Sequence, residues 1–389
     1  MNFVTRRLCW PPRIYALPAL LLAGLVATAC AVPTEARNSA KPAKPAPAAA
    51  AEFSAYGTRE DVLAFARDVA QRQPQLDPEW VRQTLVQARF IPDVARLIMP
   101  PVDNATGTAR SWTAYRARAV DAARIRGGVE FWNENQRWLD AAQKRYGVPP
   151  EIVVGILGVE TLFGRQTGGF RVLDALATLS FNFPTGRRDR SEYFRSELEQ
   201  LLVLAQRDKA DLLTLKGSYA GALGWPQFMP SSWLKYAVDF DGDGRVDLHA
   251  SVPDVIGSIA NYLATFGWRE GLPTHYDVVP PTDEAQRTVL LAPDILPSFT
   301  ATQFAERGAA LSATGQRHEG LLALIELKNG EAAPVYVAGT ANFYAITRYN
   351  FSSYYAMAVI DLGRTVATVR ESLQRQPAGA KLTPDSPAP

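Results

Sequence analysis

Glu160 stands inside an otherwise apolar run, Pro149 to Arg165, which reads PPEIVVGILGVETLFGR. Ile152, Val153, Val154, Ile156, Leu157, Val159, Leu162 and Phe163 leave a helix here no polar face, so burial nearly all round is predicted. An ionised glutamate is costly in such surroundings, which raises its pKa and keeps the acid form near neutrality. A proton donor poised in this way is what cleavage of a glycosidic bond needs. The competing reading is a buried glutamate paired with an arginine or a backbone donor. Glu160 alone does not choose between them.

Three further stretches carry chemistry. Lys216 to Ser232 (KGSYAGALGWPQFMPSS) sets glycines, which let backbone approach a ligand, among Tyr, Trp, Phe and Met surfaces suited to sugar rings. Ser218 and Gln227 there can hydrogen-bond hydroxyl and acetamido groups. Arg348 to Met357 (RYNFSSYYAM) repeats the mixture of rings and amide. Either stretch reads equally as a loop or helix start packed on the core. The third, Asp239 to Asp247 (DFDGDGRVD), begins like an EF-hand calcium loop. Asp239, Asp241 and Asp243 supply oxygens, Gly244 the sharp turn and Arg245 a backbone carbonyl. The usual twelfth position fails, being Ala250. An Asp-Gly turn cluster without metal is the alternative, but so many carboxylates without an ion would repel one another, which favours calcium in a structural role.

The elements that must hold these residues read as mostly helical. Pro150 and Glu151 suit a first helical turn. Gly155 and Gly158 weaken the helix, and close approach by a neighbouring backbone would explain them. Helical runs open at Thr58 and at Asp77, and more helix follows over 111–146, 172–179, 191–204 and 253–266. Residues 211–240 read as irregular. From about Gly271 prolines, Val and Thr runs and the turn Lys328-Asn329-Gly330 predict a small β-rich domain. Thr347 to Arg370 returns to helix.

Composition narrows the classes. A net charge of +2 on 389 residues argues against strong nucleic-acid binding. The histidines His249, His275 and His318 have no metal-ligand spacing, which argues against zinc hydrolysis. Cys9 and Cys30 are the two cysteines, both N-terminal, so no disulfide framework or cysteine nucleophile is expected in the body. Arg6, Arg7 and Arg13 precede an apolar stretch and then Ala27-Thr28-Ala29-Cys30, a signal for export. It resembles a bacterial lipoprotein signal with Cys30 as the lipidated residue. Ala27 stands where Leu is usual, so ordinary cleavage near Ala29 stays open.

GVETLFGRQTGGFRVLDALATLSFNFP, GSYAGALGWPQFMPSSW, YAVDFDGDG and RYNFSSYYAMAV occur in that order. Together they resemble the membrane-bound lytic murein transglycosylase B family of bacterial cell-wall enzymes, from about Phe53 to Arg370. The resemblance implies an α+β fold, mainly α: a lysozyme-like helical core, a helical N-terminal domain and a small β-rich insert. The expected divisions are a signal over 1–30, an Ala/Pro-rich linker over 31–52, the N-terminal domain over 53–148 and the core with its EF-hand-like loop over 149–270. The insert then covers 271–343, a helical return 344–372 and a tail 373–389.

The resemblance also makes Glu160 the catalytic acid. It places Tyr115, Arg187, Arg188, Ser218, Gln227, Tyr262, Tyr349, Asn350 and Tyr355 along the saccharide cleft, the arginines toward stem-peptide carboxylates, and closes the calcium loop with Asp254. It implies that Glu160 protonates the oxygen between N-acetylmuramic acid and N-acetylglucosamine, then as a base directs the C6 hydroxyl onto C1, leaving a 1,6-anhydro end. Expected partners are peptidoglycan strands, the outer membrane through a lipid anchor, and cell-wall synthesis or division proteins; no nucleic acid is expected. A hydrolytic muramidase and a non-catalytic peptidoglycan scaffold are the alternatives. A calcium sensor fits poorly, since one atypical loop is present where sensors use pairs.

Overall fold

In the computed structural model, which describes residues 56–99 and 111–375, the first helical signals become α1 (Glu60–Arg72), α2 (Pro78–Val86) and α3 (Pro92–Leu97). Proline opens α2 and α3, where its missing N–H costs nothing, and Asp77 caps α2 by accepting the Trp80 N–H at 2.8 Å. Next come α4 (Trp112–Ala119), α5 (Ala122–Tyr146) and α6 (Pro150–Thr161), then the two-residue strand β1 (Phe170–Arg171), α7 (Val172–Phe181) and α8 (Ser191–Asp208). The rest runs β2 (Lys216–Gly217), α9 (Pro230–Tyr236), α10 (Val252–Thr265), β3 (His275–Val279), α11 (Glu284–Leu291), α12 (Ala301–Glu306), β4 (Ala310–Leu311), β5 (Ala323–Asn329), β6 (Ala332–Gly339), α13 (Ala341–Tyr349) and α14 (Ser353–Arg375).

These elements fall into two units, one holding residues 56–99 and 170–215 and the other 111–169 and 216–375. The division cuts across the boundary expected at residue 148. In the first unit α7 is buried nearly all round and packs on α8 and α3. Its Asp174 is buried, receives Arg171 Nε at 2.7 Å and accepts the Arg89 N–H at 2.9 Å. That carboxylate is a structural anchor.

In the second unit α6 lies against α14 and α5. The glycines in α6 are accounted for. A Cβ on Gly155 would lie 2.2 Å from the Val359 carbonyl oxygen, and one on Gly363 would lie 1.9 Å from that of Glu151. The two backbones are in contact, a spacing that only glycine permits. The span expected to be β-rich holds an antiparallel sheet in the order β4-β3-β6-β5, with α11 and α12 in the same span. Leu290, Phe304, Leu322, Leu324 and Ala338 form its core.

Two expectations are corrected. Residues 211–240 include a helix, α9. The single helix expected over 347–370 is two, because Asn350 is extended (φ −144°, ψ 121°) and ends α13. Asn and Ser at 350 and 352 favour such breaks by competing for local backbone groups.

Candidate active site

Helix α6 ends just beyond Glu160, and its exit is unusual. Leu162 (φ 50°), Phe163 (φ 57°) and Gly164 (φ 80°) are consecutive left-handed residues. Such conformations cost about 1–3 kcal/mol for each non-glycine residue and persist only where the surroundings enforce them. Here Phe163 is buried and stacks on Phe131 at a 5.4 Å centroid distance. Thr161 Oγ1 donates to the Trp225 carbonyl at 3.0 Å and accepts the Gly164 N–H at 3.1 Å. The sharp exit leaves Glu160 half-buried in the last turn of a helix whose other residues are almost all covered. A helix C-terminus also disfavours a negative charge.

Tyr355, at the start of α14, donates its hydroxyl to Glu160 Oε1 at 2.6 Å. Burial pushes the Glu160 carboxyl up to about 7, against the pull of the Tyr355 hydrogen bond in the other direction. Burial and the Glu160 charge hold the Tyr355 and Tyr349 hydroxyls well above the usual phenol range, so both stay donors. The two rings stack at 6.4 Å, and Tyr349 donates to the Pro226 carbonyl at 2.7 Å. Tyr115 on α4 is pushed up to about 12 by burial first and then by Glu160. Three of the expected cleft residues therefore gather around the acid.

The other expected residues divide. Asn350 is buried, and among the described residues its Oδ1 has no hydrogen-bond partner. Leaving such an acceptor unmet costs about 1–3 kcal/mol, so the position suits an N–H or O–H from a ligand. Gln227 is itself left-handed (φ 54°), and its amide donates to the carbonyls of Thr167 at 3.2 Å and Gly224 at 2.9 Å. Ser218 Oγ accepts the N–H groups of Ala220 at 3.3 Å and Ala222 at 3.0 Å, stapling its own turn. Tyr262 is buried among Phe228, Tyr236, Phe266 and Tyr349, with its hydroxyl on the Arg348 carbonyl at 2.6 Å. It supports the neighbouring ring of Tyr349. Arg187 and Arg188 lie on the α7–α8 connection of the other unit, where Arg187 donates to the Ile98 carbonyl.

In the calcium-type loop, carboxylate oxygens of Asp239, Asp241 and Asp254 come within 4.8 Å of one another. Asp243 is not in that group, and its Oδ1 accepts the Arg245 N–H at 2.8 Å. Gly242 and Gly244 both take positive φ, at 79° and 88°. Phe240, between two of the acids, packs on Trp138 and Tyr146 and fills the space where a Gly257 side chain would stand. The acids are thereby tied to α5 and α10. Cys30 lies outside the described residues, among which no helix is long and apolar enough to cross a membrane.

The family profile described as Transglycosylase SLT domain matches residues 57–364. The chain belongs to that family. As a member, it is 42% identical over 306 residues to membrane-bound lytic murein transglycosylase B of Escherichia coli K12, a match covering 76% of this chain and 79% of that protein. It also resembles the soluble lytic transglycosylase SltB1 of Pseudomonas aeruginosa, with TM-score 0.71 and 37% identity over 80% of this chain and 99% of that one. The Escherichia coli lytic transglycosylase Slt35, solved in complex with calcium, gives TM-score 0.68 and 38% identity over 81% of this chain and 95% of that one. The fold is therefore the α+β, mainly helical, lysozyme-like one of the transglycosylases.

Within this family member, two groups escaped the sequence reading. Thr161 holds the turn after the acid, and its signal was a small hydroxyl set directly after the carboxylate of an apolar helix. Trp225 was read as a sugar-binding ring, whereas its indole lies over Gly164, whose Cβ would fall 2.2 Å from Trp225 Cε2.

Proposed function

We propose that the chain cleaves the β-1,4 bond between N-acetylmuramic acid and N-acetylglucosamine in peptidoglycan and leaves a 1,6-anhydromuramoyl end. Its family makes it an enzyme of the lytic transglycosylase kind. The observation that carries the finer reading is the isolation of Glu160. Burial raises it and the Tyr355 hydroxyl pulls the other way, and neither influence is a second carboxylate. Ordinary glycosidases need two carboxylates. One acid that titrates near neutrality can serve as donor and then as acceptor.

Protonated Glu160 gives its proton to the glycosidic oxygen as the C1–O bond breaks. The muramoyl acetamido group stabilises the positive C1. The Glu160 carboxylate, held by Tyr355, then takes the proton of the C6 hydroxyl while O6 bonds to C1. The acid is regenerated and no water is consumed. Intramolecular attack gains from high effective molarity. Tyr115, Tyr349 and the unmet Asn350 Oδ1 supply ring faces and an acceptor for the sugar. Ser218, Gln227 and Tyr262 shape the walls, and Arg187 and Arg188 would meet stem-peptide carboxylates.

The converging acids fit a hard cation with oxygen ligands, and Asp239, Asp241 and Asp254 would hold a structural calcium. Such an ion would fix the loop to α10 and takes no part in proton transfer. Lipidation of Cys30 would anchor the chain to the outer membrane beside its substrate and its cell-wall partner proteins; Cys30→Ala should then move it to the soluble fraction.

The reaction is tested by incubating purified peptidoglycan with the protein and with Glu160→Gln, then analysing released muropeptides by mass spectrometry. Anhydromuramoyl ends from the wild type, and none from the variant, are expected. Reducing ends would mean that water is the acceptor. Binding to sacculi without release by either protein would favour a scaffold.

A further inference from the structure

Helix α4 carries Tyr115 but has little apolar surface with which to hold itself in place. Only Trp112 and Ala119 of its residues are buried. A short helix with such a small buried face needs specific anchors, and its first turn has N–H groups to satisfy. Two anchors come from far along the chain: Arg116 Nε donates to Asp361 Oδ2 on α14 at 2.6 Å, and the other holds the helix start. Asn329, the last residue of β5, accepts the Thr113 N–H on its Oδ1 at 3.0 Å. The same oxygen accepts the Ser111 hydroxyl at 3.1 Å, and Ser111 Oγ in turn accepts the Ala114 N–H at 3.2 Å. The backbones of Ser111 and Asn329 also form an isolated antiparallel bridge.

The neighbouring residue completes the clasp. The Lys328 carbonyl accepts the Tyr354 hydroxyl at 2.9 Å. Tyr354 meets both Trp112 and Tyr115 edge-on, at 6.1 and 5.8 Å, and precedes Tyr355, the partner of Glu160. The hairpin tip is built for this reach. A register irregularity lies between Leu327 and Asn329, and Gly330 turns with φ 68°. A bulge at such a place re-aims a side chain away from the ladder.

We propose that Asn329, at the tip of the β5–β6 hairpin, is a positioning residue: it caps α4 from outside and thereby sets Tyr115 against the glycan beside Glu160. The sheet inserted before α13 is then part of the saccharide site's scaffold. This rests on the cleft reading of Tyr115 given above. Both bonds use the oxygen of Asn329, so aspartate can replace it while alanine cannot.

The test measures binding of an N-acetylglucosamine tetramer by calorimetry, which needs no turnover, alongside kcat and KM on solubilised glycan strands. Asn329→Ala should weaken tetramer binding and raise KM roughly tenfold, the size of a lost helix cap, with kcat changed less than about twofold. Asn329→Asp should restore both. In a Tyr115→Ala background, Asn329→Ala should add nothing further, since the two act as one unit. Independent losses in that double variant would overturn the inference. So would an Asn329→Ala protein that loses kcat and KM together in step with its melting temperature, or an aspartate variant no better than alanine. Wild-type protein that binds the tetramer and responds in this way, yet releases no anhydro product, would fail the reaction proposed above and leave the positioning role standing.

Discussion

Glu160 is held in opposition by two effects, and each can be removed separately. Burial lifts its carboxyl from an ordinary value of 4.5 to about 7, while Tyr355 favours the charged form. A raised folded-state pKa means that the group's contribution to stability is fully present below 4.5 and is lost as pH rises through about 7. Glu160→Gln should therefore gain about 1–3 kcal/mol over the wild type at pH 8 and little at pH 4, read from urea midpoints at the two pH values. Its activity should fall by about 10²–10⁴-fold, the usual worth of a general acid. Tyr355→Phe loses only the donor, so the alkaline limb of its rate profile should move up by about one pH unit. A limb that stayed in place would mean that the hydroxyl does not act on the acid. At this scale the acid was legible because a carboxylate in an apolar run has few other uses. Its partner was not. Tyr349, Tyr354 and Tyr355 are equivalent as residues in RYNFSSYY, and only the break after α13 decides which one meets Glu160. The loop acids show the same limit: Asp239, Asp241 and Asp243 read alike, and the fold brings in Asp254 while leaving Asp243 with Arg245.

Among elements, the crossing of α6 and α14 decides how the acid meets its donor. With the Val359 oxygen 2.2 Å from where a Cβ would stand, Gly155→Ala must push the helices apart. The expected loss is about 1–3 kcal/mol from overpacking, with a fall in kcat as Tyr355 draws away from Glu160. Gly169→Ala is the control, because nothing lies within 4 Å of its Cβ position; equal losses in both would discard the crossing as the cause. The sequence suggested close approach at Gly155 but not what approached, since the second glycine, Gly363, lies in a helix whose start was itself misplaced. Local rules do better at helix starts. Proline at the first turn of α2, α6 and α10 marked entries that the structure keeps, whereas Pro92 and Pro230 open α3 and α9, starts that the sequence reading passed over.

For the whole molecule, the chain leaves the unit that holds Glu160 after residue 169 and re-enters it at 216, a detour that periodicity does not show. Helical pattern reports which face is covered, never by which element, and so the boundary expected at residue 148 had no local signal to correct it. The EF-hand-like loop belongs to this scale because Phe240 couples it to α5 and α10. If the acids hold an ion, chelation should lower the melting temperature of calcium-loaded protein, with a loss of about 2.7 kcal/mol of stability for an ion supplied at a hundred times its Kd. Asp241→Asn should blunt that response and Asp243→Asn should keep it. A melting temperature indifferent to chelator would remove calcium from the account. Finally, the hydrogen bond from Tyr355 to Glu160 spans 195 residues of sequence. The acid is thus translated long before its partner, and before the helix whose Val359 and Leu362 cover the α6 glycines. Without α14, Glu160 lacks its donor and α6 lacks the contacts of Val359 and Leu362. The acid and its partner belong to two distant stretches, so neither stretch alone makes the site.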